Sequence, residues 1–123
     1  MEILPVASAR DKYEKYSLDQ HFPLLSYSKQ AYLRKCVDRE IEDKLDYRIL
    51  YETDNAGDLK ALVLQGLGIA WLPKLLVEEE ITENKLRVLD NYHFFQDVYL
   101  IMNQYKNSSL LLCFFFNYNL IID

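Results

Sequence analysis

Residues 59–73 read Leu-Lys-Ala-Leu-Val-Leu-Gln-Gly-Leu-Gly-Ile-Ala-Trp-Leu-Pro, and the fold turns on them. Leu59, Leu62 and Val63 recur at helical spacing, and Gly66 stands where a helix closes in the left-handed region at no steric cost. Gly68 to Leu72 is an apolar run bounded by glycine and proline, which predicts a buried strand. Pro73 suits the first turn of a further helix, with Leu75, Leu76 and Ile81 inward and Glu78, Glu79 and Glu80 facing water. Helix, buried strand and helix in such close succession indicate an α/β domain.

The flanks extend the alternation. Ile3 to Ala7 and Phe22 to Tyr27 read as strands, the second with Pro23 near its start, where no ladder donor is needed. Ser26 to Ser28 supply hydroxyls for an N-cap. Leu33, Cys36, Val37, Ile41 and Leu45 then share one helical face. Arg34 with Asp38, Arg39 with Asp43 and Glu40 with Lys44 form i,i+4 pairs on a solvated opposite face. Asp46 to Glu52 alternates as a strand, Thr53-Asp54-Asn55 forms the turn before the helix at 59, and short strands follow at Leu86 to Leu89 and Phe95 to Met102. Strands alternating with helices predict a mixed, mostly parallel sheet with helices on both faces. Ligands of such sheets bind beyond the carboxyl ends of the strands. Here those ends are Ser26-Tyr27-Ser28, Thr53-Asp54-Asn55 and Leu72-Pro73. The first two lead into helix N-termini, which favour anions.

Composition removes several classes of function. The chain has 123 residues, half of them apolar, which suffices for a folded core. A formal charge of −5 argues against this chain alone gripping a phosphate backbone. No apolar run is long enough to span a bilayer. Cys36 and Cys113 form neither a disulfide framework nor a CxxC zinc half-site, and no signal peptide precedes Ile3, so a cytoplasmic location is expected. Gly66-Leu67-Gly68 begins like a dinucleotide fingerprint, but Trp71 replaces the third glycine and the motif ends a helix instead of opening one. No catalytic constellation, metal-ligand set or cofactor motif is present. His21 and His93 are isolated among aromatics and read as packing or surface groups. Cys36 shares its face with Leu33, Val37 and Ile41 and is expected to be buried and inert; a thiol activated by a helix N-terminus is the alternative.

Residues 59–73 resemble the effector-binding domain of LysR-type transcriptional regulators, in which a helix ending V-x-x-G-x-G-I-A-x-L-P runs into a strand and another helix. Leu4 to Ser8 resembles the family's V-A-S-x-x-H region without the histidine, and Pro23 to Ser28 resembles the strand and turn that open onto the effector pocket. Glu79 to Leu89 resembles the segment that closes the second subdomain. The run His21 to Leu25 with Tyr27, Ser28 and Tyr32 is similar to the hypochlorite-responsive members. The resemblance implies a type 2 periplasmic-binding-protein-like fold. It implies a small-molecule effector, polar or anionic, between two subdomains, and a homo-oligomer that contacts DNA through an N-terminal helix-turn-helix. Carried over, it points to Ser26, Ser28 and Lys29 in the first strand-end turn and to Thr53, Asp54 and Asn55 in the second. It adds Gly68 and Ile69, where backbone could approach the pocket closely. Helix capping is the competing role for Ser26 and Ser28, and turn geometry for Gly66 and Gly68.

The departures shape the expected organisation. Met1 falls where the family's chain is already deep inside the domain, and the run Leu110 to Phe116 is apolar where the family's last helix carries charges. The expectation is residues 1–92 as the second subdomain and 93–123 as a crossing strand with an atypical apolar tail. An excised piece or a truncated reading frame accounts for both ends. A fragment of a regulator therefore competes with a stand-alone binding protein of the same fold. Two further alternatives are an enzyme lacking a recognisable site and a chain that self-associates through its tail.

Overall fold

Among the described residues six strands and three helices form, in the order the apolar periodicities predict; the last strand, read at Phe95 to Met102, is seen only at Phe94–Phe95, since the residues from 98 on are not described. The elements are β1 (Glu2–Ser8), β2 (Phe22–Tyr27), α1 (Tyr32–Ile41), β3 (Tyr47–Thr53), α2 (Ala56–Leu64), β4 (Ala70–Pro73), α3 (Lys74–Thr82), β5 (Leu86–Val88) and β6 (Phe94–Phe95). The computed structural model describes residues 1–10, 16–89 and 91–97. The apolar tail, Cys113, Met102 and most of the segment 93–123 lie outside the described residues.

β1 is the hub. It pairs antiparallel with β4 on one side and with β5 and β6 on the other. β2 and β3 pair in parallel. The two groups join at a parallel bridge, Leu24 to Ile69, made by Leu25 N–H donating to Ile69 O (2.9 Å) and Ile69 N–H donating to Pro23 O (3.0 Å). The order is thus β3-β2-β4-β1 with β5 and β6 beyond, and β1 alone runs against the rest. This is the mixed, mostly parallel sheet expected from the alternation. All its parallel strands end on one side, which collects Tyr27, Thr53 and Pro73 there.

The core centres on Trp71, Tyr27 and Phe22. Trp71 Nε1–H donates to Tyr92 O (2.8 Å), Tyr27 O–H donates to Trp71 O (2.8 Å), and the Phe22 ring lies 6.5 Å from the indole. Both large polar-tipped side chains are thereby satisfied while buried.

Three local expectations are corrected. β3 is not covered on both faces: Ile49, Leu50 and Tyr51 remain 38%, 45% and 47% exposed on the strand that lies at the edge of the sheet among the described residues. Its register shifts opposite Leu24 and Leu25, so Leu50 is an extra, bulged residue. α1 stops at Ile41 and Asp43 turns to φ 66°, which strands Leu45 beyond the helix; of the three charge pairs read on α1, Arg34–Asp38 forms, at 2.9 Å. Glu80 does not face water. Its side chain is only 15% exposed and takes Lys60 Nζ at 2.9 Å, tying α3 to α2.

Candidate functional site

The two turns at the ends of β2 and β3 are stitched together. Ser28 N–H donates to Thr53 O at 3.0 Å. Parallel pairing of Tyr27 with Thr53 brings Ser28, Lys29, Thr53, Asp54 and Asn55 to one rim of the sheet. Lys29 and Asp54 are exposed there, and Ser28, Thr53 and Asn55 are partly so.

The two helices that leave this rim begin differently. α2 is capped: Asn55 Oδ1 accepts from Gly57 N–H (2.7 Å) and Asp58 N–H (3.4 Å), while Thr53 Oγ1 accepts from Asn55 N–H (3.2 Å) and donates to Asp58 Oδ2 (3.4 Å). α1 has Ala31 at its N-cap, no side-chain cap and no acidic residue in its first turn. The cap expected from Ser26 to Ser28 is not made. Ser28 instead accepts from Ala31 N–H through its carbonyl (2.9 Å), and the helix starts only after that turn. The first amides of α1 keep the partial positive charge of a helix N-terminus.

Ser26 is buried beneath the turn, and its hydroxyl donates to Tyr27 O at 3.2 Å. Gly68 and Ile69 are interior. A Cβ on Gly68 would sit 2.6 Å from Pro23 O and 3.3 Å from Leu25 Cγ, so the close approach this glycine permits is to β2. Ile69 makes the two hydrogen bonds that join β2 to the β4 side. Gly66, at φ 80° with open space around it, closes α2 as read.

Three contributors were given no place in the site by the sequence reading. Arg34 was placed on a solvated face, yet its side chain is 11% exposed. Nη1–H donates to Tyr27 O (2.9 Å) and lies 3.5 Å from Glu52, so Arg34 braces the underside of the β2 turn. Its one legible sign was the i,i+4 partner Asp38. Tyr32 and Gln96 are the others: Tyr32 O–H donates to Gln96 Oε1 at 2.9 Å. No spacing rule links residues that far apart in sequence.

The remaining chemistry-bearing groups stay apart from this rim. His21 Nδ1 meets Asp46 Oδ1 at 2.9 Å in an exposed pair where β2 and β3 begin. Cys36 is buried, and desolvation pushes its thiol up from the ordinary value, the opposite of activation. Among the described residues no three His, Cys, Asp or Glu side chains group to hold a metal, and no helix is long and apolar enough to cross a membrane. Two surface cavities, of about 360 and 340 Å³, lie elsewhere, one against Lys60 and the acidic end of α3, the other against Ser17 and Arg87.

Comparison with known proteins agrees with this architecture. The model of the LysR substrate binding domain matches residues 9–115. The chain belongs to that family. It has the family's α/β, type 2 periplasmic-binding-protein-like fold. The HTH-type transcriptional regulator YjiE of Escherichia coli (strain K12) is 33% identical over 93 residues, 72% of this chain and 31% of that protein. The HTH domain-truncated transcriptional regulator QseD of Escherichia coli O157:H7 is 32% identical over 93 residues, 72% of this chain and 38% of that protein. The chain therefore spans about a third of the length of these relatives. Among solved structures, the apo regulatory domain of HypT from Salmonella typhimurium is 32% identical with a TM-score of 0.71, covering 76% of this chain and 47% of that one. A bromide-bound form of the same regulatory domain gives 31% and 0.69, covering 76% and 47%.

Proposed function

We propose that the chain is the effector-sensing second subdomain of a LysR-type transcriptional regulator, binding a small polar or anionic effector, or meeting an oxidant, at the rim formed by Ser28, Lys29, Thr53, Asp54 and Asn55. One observation carries this reading: the Ser28–Thr53 stitch sets a lysine and an uncapped helix N-terminus on one rim with hydroxyl and carboxylate groups. Backbone amides and Lys29 suit an anion, and Asp54 suits a donor group. Ser26, Gly68 and Ile69 act from beneath by holding β2 in place. No catalytic role is assigned. In this reading the regulator works in the cytoplasm as a homo-oligomer and contacts DNA through an N-terminal helix-turn-helix.

The bromide-bound form of the HypT regulatory domain supplies a probe. Titrating sodium bromide into the 123-residue chain at constant ionic strength should move the amide resonances of residues 28–33 along one saturable curve. Lys29→Ala should weaken that response several-fold. Uniform, unsaturable shifts would remove the site.

A second reading has its own support, since one relative is described as lacking its HTH domain. In that reading the chain binds ligand without DNA. Both readings expect no sequence-specific mobility shift of operator DNA by residues 1–123, and a tight, specific shift would sink both. They part on the mass of the natural gene product, which the second reading puts at 14.6 kDa and the first puts well above it.

A further inference from the structure

Met1 and Gln96, far apart in sequence, meet in the structure. Met1 N–H donates to Gln96 O (2.8 Å) and Gln96 N–H donates to Met1 O (2.8 Å), extending the pairing of β1 with β6. This locks the start of β1 to the segment that follows β6. Tyr32, the first residue of α1, reaches them: its hydroxyl donates to Gln96 Oε1 at 2.9 Å in a partly buried contact. Tyr32 also stands one helical turn beyond Ser28 and directly after the turn that carries Lys29.

These contacts form a continuous path. The turn 28–31 opens α1, α1 carries the Tyr32 ring, and the ring holds a side chain whose backbone is locked to Met1. A tyrosine has only two side-chain torsions, so a shift of the first turn passes to its hydroxyl with little slack. We propose that the Tyr32–Gln96 hydrogen bond is a tie that couples the Ser28–Ala31 turn to the paired ends of β1 and β6, at Met1–Ile3 and Phe94–Gln96. The coupling rests on the reading of that turn as the effector contact. Its strength is limited to that of one neutral hydrogen bond, which caps the coupling at roughly tenfold. Tyr32 and Gln96 are positioning residues, and neither is assigned a ligand contact.

The test is amide exchange measured by NMR on the 123-residue chain as wild type, Tyr32→Phe, Gln96→Ala and the double variant. Without halide, each single variant should speed exchange at Ile3 and Gln96 by roughly two- to tenfold relative to the amides of α2. The double variant should be no faster than the faster single, because the same bond is lost once. Unchanged exchange at Ile3 and Gln96, or additive effects in the double variant, would overturn the tie. With sodium bromide present, the wild type should gain protection at 28–34 and at 94–96, and Tyr32→Phe at 28–34 alone. Retained protection at 94–96 in Tyr32→Phe also overturns the proposal. A wild type that ignores bromide at 28–34 refutes the binding reading of the turn, and the halide-free arm still decides the tie.

Discussion

Gly66 and Gly68 look alike in the sequence and answer different physical demands. Gly66 is there for its backbone: φ is 80° and nothing lies within 4 Å of an added Cβ. Gly68 is there for space, because its Cβ would meet Pro23 O at 2.6 Å. Gly66→Ala should therefore cost about 1–2 kcal/mol through the left-handed conformation alone. Gly66→Asn should recover part of that loss, since asparagine tolerates the region. Gly68→Ala should cost about 1–3 kcal/mol by pushing β2 away from the β4 side, and Gly68→Asn should be worse still. Denaturant midpoints of the four variants check this contrast. Equal behaviour of asparagine at both positions would contradict it.

At the scale of elements, the helices differ in how they begin. α2 rests on the Asn55 cap, so Asn55→Ala should cost about 1 kcal/mol. Ser28 caps nothing through its side chain, so Ser28→Ala should change stability by less than about 0.5 kcal/mol. Thermal unfolding of the two variants separates them. A comparable loss at Ser28 would mean that its hydroxyl caps α1 after all. β3 obeys a different constraint. Among the described residues it is an edge strand, and its Ile49, Leu50 and Tyr51 are among the most exposed large apolar side chains. Leu50→Lys at the bulge should leave stability within about 0.5 kcal/mol and lower the tendency to aggregate, as charged edges do. Light scattering alongside urea unfolding would show both effects.

At the scale of the whole molecule, four groups among the described residues have perturbed titrations that bear on stability against pH. Desolvation raises the pKa of Cys36 from its ordinary 9.0 and those of Tyr32 and Tyr47 from 10.0. A group with a raised folded-state pKa contributes stability that is fully present below its unfolded pKa and is lost as pH rises through the folded value. Glu83 is lowered from 4.5, first by a hydrogen bond from Lys85 and then by that lysine's charge. Its contribution is present above the ordinary value and is lost as pH falls through the lowered one. The unfolding midpoint should thus be flat between about pH 5 and pH 9 and decline on both sides, most on the alkaline side where three groups act together. Cys36→Ser should delay the onset of the alkaline decline, which a denaturant series at each pH would show.

Local periodicity determined the succession of strands and helices, the α/β class, the left-handed stop at Gly66 and the two strand ends that carry Ser28 and Thr53. Those features depend on residues close together in the chain, and short-range rules read them directly. The most specific part of the family resemblance lay in the same stretch, residues 59–73. What remained hidden depends on packing between distant segments. Ser28 lost its capping role because the turn ran on to Ala31, a choice made by the parallel pairing with Thr53. Arg34 left the solvated face because Tyr27 O and Glu52 of neighbouring strands offered it partners. Gly68 faced β2 because the β4 side had to come within hydrogen-bond distance of Pro23. The link from Tyr32 to Gln96 exists only because β6 returns beside β1, and no local pattern encodes a contact that the sheet itself creates.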